Sequence, residues 1–158
     1  MAEWRRATAA DASAVAILAR AELGEYGETA GLYAERIALA PAGCHVLIAD
    51  DTVFGHCISH PWRRFAPPAM HAMLGSVPTN ADCWYLHDVV VAGEGRGQRA
   101  VERLLPLLIE AARAKGIETL ALIAVGGADG YWSRLGFRPV AGGAEGFGPD
   151  AVYMERPA

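Results

Sequence analysis

Residues 86–105 read LHDVVVAGEGRGQRAVERLL, and the change of pattern inside this stretch decides the fold. Val89, Val90 and Val91 close an apolar, β-branched run that begins at Cys83 and fits a buried strand. Ala92 to Arg96 reads as a loop. From Gly97 to Ala114 the apolar residues Val101, Leu104, Leu105, Leu108 and Ile109 recur at the spacing of one helical face, although Pro106 removes a backbone donor and predicts a bend. A strand feeding a helix through a short loop presents unpaired N–H groups and the positive end of the helix dipole. Gly93, Gly95 and Gly97 let the backbone approach an anion, and Arg96 and Arg99 add charge there. A glycine cluster alone fits an ordinary connection equally well.

Working outward toward the N-terminus, Trp4–Ala7 is a candidate first strand. A helix opens at Asp11 and carries Val15, Ile17, Leu18 and Leu23. A second spans about Thr29 to Ala40 and stops at Pro41. The period then changes, and residues 44–50 and 52–60 read as strands joined in a hairpin at Asp50-Asp51. Pro61, Pro67, Pro68 and Pro78 mark a long loop to Asn80, with a short helix predicted around Ala69–Leu74. Toward the C-terminus, residues 118–125 form a buried strand and 128–135 a short helix. Residues 137–140 and 151–155 complete the chain as strands. The class is α/β, one domain over residues 1–158, with helices packed on a single mixed sheet.

Composition narrows the function. The 158 residues are 53% hydrophobic and 20% charged, which excludes a disordered chain. No apolar run reaches the roughly 18 residues of a membrane span, and charges interrupt the N-terminal region before a signal-peptide core can form. The expected compartment is the cytoplasm, with no membrane partner. A net charge of −4 argues against a nucleic-acid surface without excluding a local anion site. Lys115 is the only lysine, so positive charge is almost all arginine, suited to forked contacts with phosphate or carboxylate.

The three cysteines lack disulfide or zinc spacing and read as free thiols. Cys44-His45 and His56-Cys57 invite a metal site. A two-residue turn at Asp50-Asp51 pairs 44 with 57 and 45 with 56, which places the cysteines on one sheet face and the histidines on the other. Four ligands cannot then converge, and no metal is expected.

The chain resembles the GNAT superfamily of acyl-CoA-dependent N-acetyltransferases over nearly its whole length. The resemblance rests on Val91 followed by Arg96-Gly97-Gln98 at the head of a helix, on YWSRLGF from Tyr131 to Phe137, and on the closing AVYMER, Ala151 to Arg156. It implies a mixed, mostly antiparallel central sheet flanked by helices on both faces. It also implies acetyl-CoA as donor and a small-molecule or peptide amine as acceptor. Backbone groups of Val89, Val90 and Val91 would then hold the pantetheine arm and polarise the thioester carbonyl. Arg96, Gly97, Gln98, Arg99, Ala100 and Val101 would hold the pyrophosphate. Arg99 and Val101 stand where the family pattern has small residues, Gly126 where it often has asparagine, and Trp132 where it often has a tyrosine acid.

Catalytic candidates are His87 as the base that takes the amine's proton and Tyr131 as the acid for the thiolate. Strict alternation along the strand places His87 with Val89 and Val91, and Asp88 on the opposite face with Val90. Hydrogen-bonded core residues are the alternative reading of both His87 and Asp88. Glu22, Glu25, Tyr26 and Glu28 could attract a cationic amine or form a solvated helix end. Trp62, Phe65, Met70, Met73 and Arg63-Arg64 suit a substrate wall, a homodimer contact or a cover over the core. The alternative function is a domain of the same fold that binds CoA or a protein partner without catalysis.

Overall fold

The computed structural model describes all residues from Met1 to Ala158. Its seven strands are β1 (Glu3–Arg6), β2 (Cys44–Ala49), β3 (Thr52–Trp62), β4 (Cys83–Val91), β5 (Thr119–Ala124), β6 (Arg138–Pro139) and β7 (Val152–Pro157). They form one sheet in the order β1-β2-β3-β4-β5-β7-β6, antiparallel except for the β4–β5 pair. The helices are α1 (Ala12–Leu23), α2 (Ala30–Leu39), α3 (Ala100–Ala114) and α4 (Asp129–Arg134). No helix is long and apolar enough to cross a membrane.

The helices cover both sheet faces. Leu104, Leu105, Leu108 and Ala112 of α3 pack against Trp84, Leu86, Leu120, Leu122 and Met154, with Trp132 of α4 alongside. Val15 and Ala19 of α1 and Tyr33 and Ile37 of α2 pack against Cys44, Val46 and Ile58 on the other face. Helix α3 runs on through Pro106, whose exposed position leaves the Glu102 carbonyl, which lost its donor, on the solvent side. Thr29 caps α2 by accepting from the Leu32 N–H at 3.3 Å.

Three sequence expectations need correction. Helix α3 opens at Ala100 rather than Gly97, because Gly97 and Arg99 adopt positive φ of 75° and 52°. Residues 69–74 form a turn at Met70-His71 and no helix. The hairpin register also differs. Asp50 and Asp51 do make the turn, both with positive φ, and Ala49 pairs with Thr52. Phe54 is then an extra residue, so His45 pairs with Cys57, and Val46 with His56. Cys44 therefore shares the α1/α2 face with His56, while His45 and Cys57 share the α3 face. No three side chains of metal-binding type converge. Burial pushes the Cys44 and Cys83 thiols up to about 12 and Cys57 well above its ordinary value, so none is primed as a nucleophile.

Two irregularities in β4 create the site. Ser59 pairs with Leu86 and Ile58 with Asp88, so His87 is an extra residue in the strand. The parallel β4–β5 pairing runs only from Trp84↔Leu120 to Leu86↔Leu122 and then stops. Beyond that point β4 continues to Val91 with its far edge still paired to β3. The edge toward β5 is open. The two strands part like a V, and the cleft between them joins the two faces of the sheet.

Candidate active site at the parting of β4 and β5

On the α3 side the cleft widens into a groove of about 500 Å³ lined by Val89, Val91, Gly95 to Gly97, Arg99 to Glu102, Tyr131 and Trp132. The Arg103 N–H bonds back to Arg99 O at 3.0 Å, so the N–H groups of Ala100, Val101 and Glu102 have no acceptor within the helix. Gly95 packs tightly on the sheet, since a Cβ there would lie 2.7 Å from Leu47 Cδ2 and 3.1 Å from Val91 Cγ1. Arg99, the N-cap, holds a left-handed conformation that costs a side-chain-bearing residue about 1–2 kcal/mol, where glycine would be nearly free. Its guanidinium is exposed and only loosely paired with Glu102 at 3.8 Å.

The other cofactor candidates divide. Ala100 and Val101 line the groove. Val90 is buried outside it. Gln98 turns away, its amide accepting from the Ala2 N–H at 3.1 Å and donating to Glu94 O, so its side chain ties the N-terminal strand to the loop. Arg96 lies at the groove but bridges it, donating to Val91 O at 3.2 Å and to Glu22 of α1 at 2.8 Å.

On the α1/α2 side the cleft ends in a cavity of about 210 Å³. Leu86 to Val89 of β4 and Leu122 to Val125 form its floor. Leu23, Tyr26, Glu28, Met70 and Phe147 close it from above, and Val89 and Trp132 are shared with the groove. Because His87 is the extra residue, it and Asp88 both face this side, while Val89 packs toward α3. Strict alternation, which put His87 with Val89, fails at this position.

His87 sits in a buried chain of polar groups. His60 Nδ1 contacts Pro61 O at 3.0 Å, and a carbonyl only accepts, so the His60 proton is on Nδ1. Burial, reinforced by His87, pushes His60 down to about 3 and keeps it neutral. Its Nε2 therefore accepts, and His87 Nδ1 at 3.4 Å is the donor. The other His87 nitrogen lies 3.2 Å from Glu28 Oε1. Both ring nitrogens of His87 thus face acceptors. Glu28 also accepts from both terminal nitrogens of the buried Arg36 and from the His71 N–H at 2.7 Å. Burial opposes its ionisation, but the bonds from His87 and Arg36 outweigh that and hold the carboxyl down to about 2. Beside this chain, Tyr33 donates to Asp88 at 2.5 Å, and His56 lies 3.6 Å from the same oxygen.

Residues 12–137 match the family model described as the acetyltransferase (GNAT) family. The chain belongs to the GNAT family. No curated protein sequence matches it significantly. Among solved structures, Ard1 from Thermoplasma volcanium superposes with a TM-score of 0.76 at 16% identity, over 99% of this chain and 97% of that one. A GNAT-like decarboxylase, GphF, in complex with isobutyryl-CoA gives 0.76 at 18% identity over 98% of each chain. The PaiA N-acetyltransferase from Thermoplasma acidophilum, in complex with coenzyme A, gives 0.72 at 13% identity over 100% and 99%. Identities this low support the shared GNAT fold, and the mixed sheet with helices on both faces agrees with it.

The GNAT cleft separates the two catalytic candidates. His87 lies in the cavity and Tyr131 in the groove wall, edge-on to Trp132, with Val89 and Trp132 between the two compartments. Sequence reading missed Arg36 and His60 and weighed His56 only as a metal ligand; the three reach the site from α2 and β3. Their signal was slight: polar residues, Arg36 beside Glu35 and His60 beside Ser59, within otherwise apolar elements. The proposed acidic wall also changes. Glu22 pairs with Arg96, and Glu25 faces a different cavity. Only Tyr26 and Glu28 line this one. From the Pro-rich loop, Met70 reaches the cavity, held by Arg36 donating to Ala72 O and by Glu28 accepting from His71.

Proposed function

We propose that this GNAT domain transfers an acetyl group from acetyl-CoA to a primary amine by direct attack on the thioester. The parting of β4 and β5 carries this reading. It leaves one strand edge open between an anion-suited helix N-terminus and a cavity holding a histidine–carboxylate pair. Residues present fit such a donor: the edge of β4 that leaves β5 at Val89 and Val91 suits the amides of a pantetheine arm once Arg96 releases Val91 O, and the N–H groups of Ala100 to Glu102 with Arg96 and Arg99 suit a pyrophosphate. Three buried free thiols fit the reducing cytoplasm.

The reaction breaks a C–S bond, forms a C–N bond, removes a proton from the amine and returns one to the thiolate. Backbone N–H groups of β4 at the open edge would polarise the thioester carbonyl. His87 would take the amine's proton. In the arrangement described it donates from both nitrogens, so one contact must first be exchanged. Glu28 is the partner on the cavity wall; as the amine took over that contact, the Nε2 proton would leave to solvent, and the bare Nε2 of the neutral ring would then accept the amine's proton. Tyr131 would supply the thiolate's proton from the groove side. Burial raises its phenol above the usual range, favouring the protonated form needed in an acid.

Titration with acetyl-CoA, followed by thiol release over a panel of amines, tests the proposal. Saturable binding with amine-dependent thiol release is expected. Absence of binding at millimolar acetyl-CoA would contradict it, and binding without release by any amine would favour a non-catalytic CoA-binding domain.

A further inference from the structure

We propose that the acceptor is a small primary monoamine with an apolar body, an arylalkyl or branched alkyl amine, rather than a polyamine, an aminoglycoside or a peptide N-terminus. The inference rests on the acyl-transfer reading above and concerns the cavity on the α1/α2 side.

Charge comes first. One cation can be served beside the reacting centre, because the His87 contact with Glu28 is exchangeable, whereas Arg36 and the His71 N–H hold the rest of that carboxylate. Asp88 stands next to His87; its Oδ2 accepts from Tyr33, with His56 Nε2 3.6 Å away, so any charge it served would also lie beside the reacting centre. A second ammonium would have to lie farther out, against Leu23, Tyr26, Met70 and Phe147, where the wall offers no carboxylate. Of the acids on α1 and its following turn, Glu22 pairs with Arg96 and Glu25 lines a different cavity, and Glu145 and Asp150, exposed on the loop that carries Phe147, are not among the lining residues. Removing a second charge from water without a partner is costly, so a dication is disfavoured relative to a monoamine whose body is apolar.

Shape comes second. Three separate segments roof the cavity: the end of α1 with its following turn, the loop between β3 and β4, and the glycine-rich loop between β6 and β7. The first and last meet where the Tyr26 hydroxyl approaches Phe147 O at 3.4 Å. A peptide running out of the cavity on that side would have to part this contact. A small molecule would not. The aromatic and thioether lining offers adaptable apolar surface for a compact body.

Thiol release is measured with acetyl-CoA and each of 2-phenylethylamine, isopentylamine, spermidine, kanamycin and a short peptide with a free N-terminus. The two monoamines are expected to exceed the others in kcat/KM at least tenfold. Phe147→Glu and Met70→Glu should each narrow the gap between 2-phenylethylamine and spermidine at least tenfold, with acetyl-CoA still bound. A preference for spermidine, kanamycin or the peptide would overturn this inference while leaving acyl transfer standing. Absence of thiol release with every amine would instead defeat the acyl-transfer reading. In that case the melting temperature of the CoA-loaded protein decides the matter. A larger rise with 2-phenylethylamine than with spermidine supports an apolar monoamine site, and an equal, smaller or absent rise overturns it.

Discussion

The two ends of the cleft are built differently. The groove beside α3 comes almost entirely from residues 89–102, continuous in the chain, and presents backbone donors and exposed arginines. The cavity beyond the parting strands draws on five separated segments, from Leu23 to Phe147, and its polar groups are buried and paired with one another. The first is a local device made by chain direction and glycine. The second exists only when helix, loop and sheet are assembled. Mutations should therefore separate them, with stability falling at the cavity and ligand affinity at the groove.

The largest effect is expected at the buried ion pair. Arg36→Met leaves Glu28 buried without its main partner and should destabilise the protein by about 3–5 kcal/mol, read from urea unfolding. A loss below about 1 kcal/mol would mean that the cavity end is not held together by this pair. Next, His87→Ala should lower kcat at least about 100-fold while acetyl-CoA binding persists. Full activity in that variant would end the proposed role of His87 in proton transfer.

Acid should also act on the cavity end. His60 is held at about 3, below the 6.5 of a free histidine, so the unfolded chain takes up this proton first. Stability therefore falls as pH drops from 6.5 toward 3, by up to about 1.4 kcal/mol per pH unit from this group. Urea midpoints measured from pH 7 to pH 5 should fall less steeply in His60→Gln, and identical slopes would remove His60 as a cause.

At the groove the effects are smaller and fall on binding. Arg96→Ala should weaken acetyl-CoA about tenfold by calorimetry, the loss of one charge-assisted contact. Arg99→Gly should stabilise the fold by about 1 kcal/mol by relieving its left-handed backbone, and should not tighten acetyl-CoA. If that substitution instead destabilises the fold, the strain assigned to Arg99 is wrong.

The same contrast explains what the sequence disclosed. Strand, glycine loop and helix are adjacent in the chain, so residues 86–105 revealed the cofactor end, and element order revealed the sheet. The start of α3 was misplaced by three residues because positive φ at Arg99 leaves no mark on an arginine. The Phe54 and His87 insertions were invisible for another reason. A bulge is chosen by the pairing partner and the packing around it, and one extra residue reverses every later side chain. That reversal carries Val89 and Val91 to the α3 side, while His87 stays with Tyr85 on the face of Glu28 and His60. Pairs such as Arg36 with Glu28 or His60 with His87 come from different elements, and composition does not announce them.

The central claim is that the open edge of β4, with the helix start beyond it, receives an acyl-CoA. Hydrogen exchange by mass spectrometry, with and without saturating acetyl-CoA, measures this directly on peptides covering residues 86–105. Slowed exchange in the amides of 89–103, with little change in β1 and β2, is the predicted result. Unchanged exchange in 89–103 at an acetyl-CoA concentration that binds by calorimetry would place the ligand elsewhere and contradict the account.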